Sequence, residues 1–237
     1  MLDYEKDYEK AQFAKMNRKE KLEHIWTYYK VPIFLVLLGI FVVGWCVNHY
    51  ILNPPPEVGF RVVTYGPYSS YTKAEELSDR YQERFAELLG EKIALVQSVQ
   101  DYSGNEMYYE EAMASVTQIT ALVSAGDLDI LISGIAPTAT FGLGGFFEPL
   151  DSFFTADEFG ALVGRLQETT GRKDVILYGP IDEKEPEKLY PIAFLLTGEE
   201  ERALVSDGDY YVGIIANAPA PEIVRAYVRS LVFGDES

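Results

Sequence analysis

Val31-Pro-Ile-Phe-Leu-Val-Leu-Leu-Gly-Ile-Phe-Val-Val-Gly-Trp-Cys-Val-Asn-His-Tyr-Ile-Leu52 runs for twenty-two residues without a charge. At about 1.5 Å per residue this is roughly 33 Å of helix, enough to cross a bilayer core of about 30 Å. A buried core helix is usually shorter and shows a polar face. Here Ile33 to Val43 is apolar on every face apart from Gly39. The run therefore reads as a transmembrane helix. It divides the chain into a tail (1–30), the span (31–52), a stalk (53–57) and a domain (58–237).

The flanks refine that reading. Trp26, Tyr28 and Tyr29 precede the run and Trp45 and Tyr50 sit near its end, as in the aromatic belts at membrane interfaces. Pro32 is expected in the first helical turn, where its missing N–H costs nothing. Lys15, Arg18, Lys19, Lys21 and Lys30 lie before the run, whereas only Arg61 lies within a similar distance after it. The positive-inside rule places the N-terminus in the cytoplasm and the domain outside the cell membrane. A cleaved signal peptide is the rival reading; it needs a shorter apolar core and a small-residue exit, where this chain has Trp45, His49 and Tyr50. The lipid bilayer is thus one expected partner, through residues 31–52.

Composition bounds the rest. Asn53 to Ser237 carries 31 acidic and 13 basic residues, a charge that repels nucleic acid and anionic lipid. Cys46, in the apolar run, is the only cysteine, so the outer domain has no disulfide, as fits a bacterial surface better than a strongly oxidising compartment. The tail repeats Asp3-Tyr-Glu-Lys6 as Asp7-Tyr-Glu-Lys10 and reads as a charged, solvated helix. Asn53-Pro54-Pro55-Pro56 reads as a short, stiff, extended stalk.

Within the domain, strand and helix patterns alternate. Val58–Thr64, Lys92–Val99 and Asp127–Ser133 read as strands. A helix capped by Ser69 or Ser70 and stopped by Gly90 shows Leu77, Tyr81, Phe85 and Leu88 on one face. A second helix, Glu106–Ala125, turns Val116, Ile119 and Val123 inward and ends at Gly126. Later strands are expected at Val175–Tyr178, Tyr190–Leu196 and Tyr210–Ala216. Helices are expected at Ala156–Glu168 and at Pro219–Val232, the latter with Ile223, Tyr227 and Leu231 inward. A β-α-β-α-β opening predicts an α/β fold with a mainly parallel sheet.

Three segments carry a family likeness: the helix leading into Ser124-Ala-Gly-Asp-Leu-Asp-Ile-Leu-Ile-Ser133, then Gly145-Phe-Phe-Glu-Pro-Leu-Asp151, then Tyr210-Tyr-Val-Gly-Ile-Ile-Ala-Asn-Ala-Pro-Ala-Pro-Glu222. Together they resemble the type 2 periplasmic solute-binding family, the last resembling its late strand and return helix. Members have two lobes that close on a ligand. About 55 residues separate Asp151 from Asp207, so the resemblance implies a truncated, single-lobe domain. It places a ligand site at strand ends and helix N-termini, on Tyr65, Ser69, Ser70, Ser133 and Gly134. Helix N–H groups with serine hydroxyls suit a polar or anionic group; helix capping is the other role open to the two serines. Tyr65, Tyr68 and Tyr71 would offer a stacking surface or ordinary packing.

His24 and His49 both lie outside the outer domain, which excludes from it a Ser-His-Asp triad, a Cys-His dyad and ordinary zinc sites. Paired carboxylates at Asp127/Asp129, Asp157/Glu158 and Asp207/Asp209 read as charged turns rather than a glycosidase pair. Gly142-Leu-Gly-Gly145 lacks the lysine and the helix of a phosphate loop, and Asp207-Gly-Asp209 is too short for a calcium loop. The expectation is a non-enzymatic binding or interaction module without metal or cofactor, its partner a small ligand or an envelope protein. An accessory or assembly subunit of an envelope complex is the alternative.

Overall fold

A computed structural model describes residues 17–67, 70–102 and 106–234. The chain divides into two compact units between Pro55 and Pro56.

The first unit is helix α1, Arg18–Val47. It opens with a capping box: Asn17 Oδ1 accepts the Arg18 N–H at 2.7 Å, and the Glu20 carboxylate accepts the Asn17 N–H at 2.9 Å. Pro32 lies inside this helix, not in its first turn. The tail's helix continues unbroken into the apolar run, so Pro32 deletes an interior hydrogen bond and favours a kink. After Val47 the backbone widens over Asn48–Leu52, and the Asn53 N–H reaches back five residues to the Asn48 carbonyl. Lys30–Leu52 is the one stretch among the described residues long and apolar enough to cross a membrane, and none of its most apolar part is buried. Trp26, Trp45 and Tyr50 are exposed, with the Trp45 ring stacked on His49 at 5.3 Å and edge-on to Tyr50. Tyr28 and Tyr29 lie on the same helix.

The second unit is an α/β domain on one six-stranded sheet. Its elements are β1 (Val58–Gly66), α2 (Tyr71–Arg84), α3 (Ala86–Leu89), β2 (Ile93–Gln100), α4 (Tyr109–Ala125), β3 (Ile130–Gly134), α5 (Ile135–Leu143), α6 (Leu150–Phe153), α7 (Ala156–Thr170), β4 (Ile176–Gly179), β5 (Tyr190–Leu195), α8 (Glu199–Arg202), β6 (Tyr210–Ile214) and α9 (Pro221–Phe233). Spatial order is β2-β1-β3-β6-β5-β4. All six expected strands form. The sheet is mixed, not mainly parallel: β2, β1 and β3 run parallel, whereas β6, β5 and β4 join by antiparallel pairing. Only the ten residues 180–189 separate β4 from β5, too few for the crossover of a dozen or more that a parallel pair needs.

Both faces of the sheet are covered. Because strand side chains alternate, Phe60, Val62, Ile130 and Ile132 face one core with Leu77 and Tyr81 of α2, Leu162 of α7 and Tyr227 of α9. Val63, Tyr65 and Leu131 face the other with Ile119 of α4 and Phe141 of α5. The expected helix after Ser70 breaks at Phe85, where the backbone leaves the helical region (φ −108°, ψ 18°). The break rotates the register, so Leu88 is exposed and Leu89 is buried. The segment after Gly134, expected to be loose, contains α5, which begins directly at the end of β3. Leu231 is half-buried, while Ile223 and Tyr227 are fully inward.

Strand β2 lies at an edge of the sheet, and α2 covers its open backbone groups. The Gln82 side chain accepts the Ala94 N–H at 2.8 Å and donates to the Lys92 carbonyl at 3.2 Å. Ser78 Oγ accepts the Val96 N–H at 2.8 Å. An amide side chain thus takes the place that a further strand would fill.

Candidate functional site

In an open α/β sheet, ligands bind outside the C-terminal ends of parallel strands, where successive crossovers diverge to opposite faces. Here that point lies between β1 and β3. Helix α2 packs on one face and α4 on the other, so the chain parts after Gly66 and Gly134. Tyr65 and Ser133 are register partners there. Helix α2, with Ser70 at its N-cap position, and α5, with Gly134 at its own, both begin at this end.

The side chains at this point are largely committed inward. Tyr65 is 2% exposed, and its hydroxyl donates to Asp101 Oδ1 at 2.9 Å. Burial first, then the Asp101 carboxylate, push its ionisation well above the usual phenol range. Ser133 is fully buried, with its Oγ 2.7 Å from Thr138 Oγ1. Thr138 Oγ1 also lies within bonding distance of the Ser133 and Gly134 carbonyls. Gly134 has ordinary extended backbone angles. Ser70 holds the N-cap position of α2, yet its side chain makes no capping bond. Ser69 and Tyr68 lie outside the described residues. Of the proposed tyrosine surface, Tyr71 is exposed and Tyr65 is core. The structure therefore brings Tyr65, Ser133 and Gly134 together, with both side chains, those of Tyr65 and Ser133, facing away from solvent.

Sequence reasoning missed Tyr210. It pairs with Gly134 across β3 and β6, and its hydroxyl lies 2.8 Å from Ser206 Oγ. A Cβ at Gly66 would sit 2.9 Å from that hydroxyl. The buried Tyr210 ring thus lies over the end of β1, in the space glycine leaves. No local signal marks it, because the contact joins positions 144 residues apart in sequence.

Outside this point the rim is open, and exposed apolar side chains flank Glu110 and Glu111. Where α4 begins, Met107 is 81% exposed, Tyr109 68% and Met113 50%, and the Tyr108 ring packs at 5.6 Å on Tyr102. Ala112 to Gly126 contains no charged residue, although Ala114, Thr117, Ala121 and Ala125 face solvent. Thr117 and Thr120 turn their hydroxyls back onto the carbonyls of Met113 and Val116, at 2.7 and 2.8 Å, leaving their methyl groups to the outside. Gly126, at φ +69°, closes the helix with a left-handed cap.

One member of each carboxylate pair has a structural role. Asp129 is buried and accepts the N–H groups of Arg61 at 2.8 Å and Ala220 at 3.0 Å; burial raises it to about 6 against those bonds. Glu158 completes a capping box with Thr155. Asp209 takes both oxygens to Arg172, at 2.7 and 2.8 Å, and Arg172 also pairs with Asp174. Among the described residues no cluster of three His, Cys, Asp or Glu side chains is placed to hold a metal ion. The sequence matches no protein-family model, and no curated protein matches it.

Proposed function

We propose that the chain is a single-pass, membrane-anchored module whose α/β domain binds another envelope protein outside the cell and performs no chemistry of its own. The observation that carries this reading is the outer face of α4 beyond Glu111, which carries no charge, together with the exposed Met107, Tyr109 and Met113 at its start. Soluble helices normally place charge on their outward face, and the rest of this domain is strongly acidic. Aromatic side chains and methionine are enriched where proteins dock, and charge is depleted there. The anchor and its one-sided basic flank support the topology. A photo-crosslinking side chain at Met113 in native cells is expected to yield one discrete adduct, whereas the same group at Glu76 on α2 yields none. Identical patterns from both positions would defeat the reading.

A second reading, a degenerate solute-binding domain of type 2 character, draws on the N-termini of α2 and α5 at the strand-end divergence and on β6 and α9 as late strand and return helix. Thermal-shift screening with sugars, peptides, oxyanions and cations tests it. A shift lost on Gly134→Val supports it, and a flat response across the panel removes it.

A further inference from the structure

The groove between α7 and α9 inverts the sign of the domain. Its cavity of about 290 Å³ has apolar walls that include Phe154, Leu162, Val228 and Phe233. Two of the domain's 13 basic residues, Arg225 and Arg229, stand at its side, against one of its 31 acidic residues. That acid, Glu158, is already engaged. It accepts the Thr155 N–H and hydroxyl, both at 2.9 Å, and these bonds hold its carboxyl below the usual range.

The two arginines differ in their surroundings. Arg225 is braced: its guanidinium stacks 4.5 Å over the Phe153 ring, donates to the Phe153 carbonyl and lies 3.5 Å from Glu158. Arg229, one turn further on the same side of α9, makes no hydrogen bond or close ion pair among the described residues and meets Glu158 only through the attraction of their charges. A braced guanidinium fork beside one whose N–H donors are not taken suits a carboxylate, which accepts such donors in parallel. Beyond Arg229 the same side of the helix continues to Phe233, and beneath it lie Leu162 and Val228. From Arg225 to Phe233 the helix advances about 12 Å, room for an alkyl chain of about ten carbons. The cavity lies just below the roughly 300–1,000 Å³ typical of small-molecule pockets, so it accommodates a single chain and not a two-chain lipid.

We propose that the α7–α9 groove binds a free single-chain anionic amphiphile, a medium-chain carboxylate whose head pairs with Arg229 and Arg225 and whose tail lies against Leu162, Val228 and Phe233. This site is separate from the outer face of α4 and stands or falls independently of the protein-docking reading. The test uses the full chain in neutral phosphatidylcholine nanodiscs, titrated with decanoate by calorimetry against empty nanodiscs. Saturable binding above the empty-disc signal is expected. Arg229→Glu should weaken it about tenfold or more, the equivalent of losing one charge pair. Ala161→Trp, which fills the groove from an exposed position, should remove it. Decanol, with the same chain and no charge, should bind more weakly and ignore Arg229→Glu. Thermal unfolding of both variants within a few degrees of the parent confirms that the fold is kept. The proposal is overturned if decanoate gives only the empty-disc signal, if decanol binds as well, or if Ala161→Trp binds like the parent. It is equally overturned if an acidic amphipathic peptide occupies the groove while decanoate does not.

Discussion

Helices α2 and α4 make the same connection in the parallel half of the sheet, each crossing from one strand to the next, and they treat solvent in opposite ways. Outward positions of α2 carry Lys73, Glu75, Glu76, Asp79, Arg80 and Glu83. Its inward face buries Ala74, Leu77 and Tyr81, and its flanks bond the β2 edge. Helix α4 buries only Ser115 and Ile119 and, after Glu110 and Glu111 in its first turn, turns an uncharged surface outward. Core packing requires less of α4 than of α2, so the composition of α4 must answer to something outside the fold. That contrast, more than any single residue, supports the docking role proposed for α4.

The largest difference between the two helices is expected in the core. Tyr81 is fully buried, and its hydroxyl donates to the buried Glu201. Tyr81→Ala should cost about 3–5 kcal/mol in urea unfolding, with Glu201 left without that partner. Ile119→Ala on α4 should cost about 2–4 kcal/mol in the same experiment. If Ile119→Ala proves the more damaging, α4 is a core element and the argument from its light packing fails.

Gln82→Ala removes two bonds from an edge strand that water reaches in part. We expect a loss of about 1 kcal/mol, accompanied by concentration-dependent association in light scattering as β2 opens. Ser78→Ala should add to that association, whereas substitutions on α4 should not cause it.

A pH scan sharpens the comparison further, because each helix has a buried carboxyl near it: Glu201 against α2, and Asp129 four residues beyond the end of α4. Burial raises both. Asp129 moves from 3.8 to about 6, so between those values the folded chain holds a proton that the unfolded chain has released. Stability therefore falls as pH rises through that window. Glu201 acts in the same direction. Glu158 and Asp174 are lowered by their hydrogen bonds, and their contribution fades only as pH drops below the ordinary carboxylate range. The thermal midpoint should thus be higher near pH 5 than at pH 7.5, by a few degrees on the order of 2–4 °C per kcal/mol. Asp129→Asn should flatten part of that slope; a midpoint that rises with pH instead would contradict the burial argument.

The smallest effect on stability belongs to Thr117→Lys combined with Ala121→Glu on the outer face of α4. Unfolding should change by less than about 0.5 kcal/mol, while the crosslink from Met113 disappears.

Much of this fold was legible in the sequence because it rests on local pattern. The six strands announce themselves through apolar runs, and α4 and α9 through their inward residues and flanking Gly or Pro. The antiparallel half is readable in principle from the short link between β4 and β5, although the β-α-β-α-β opening points to parallel pairing. Helix α5 escaped because Pro137, Thr138, Thr140 and Gly142 are poor helix formers, held in place by the Ser133–Thr138 contact. The site fared worse for a geometric reason. Tyr65 and Ser133 lie at strand ends as expected, but parity turns them toward the core occupied by Ile119 and Phe141. Tyr210 reaches Gly66 only through the completed sheet. Exposure on α4 is likewise invisible until the packing of its other face is known.

The pairing of Gln82 with the β2 backbone has a further consequence for a chain held in a plane. If the domain is tethered to a membrane, neighbours meet at a local crowding far above that of the same number of free molecules, and they meet repeatedly. Under that confinement an open strand edge would nucleate lateral chains of domains, sheet joined to sheet. One glutamine and one serine on α2 occupy that template along β2, and so withdraw one of the sheet's two edges from such joining.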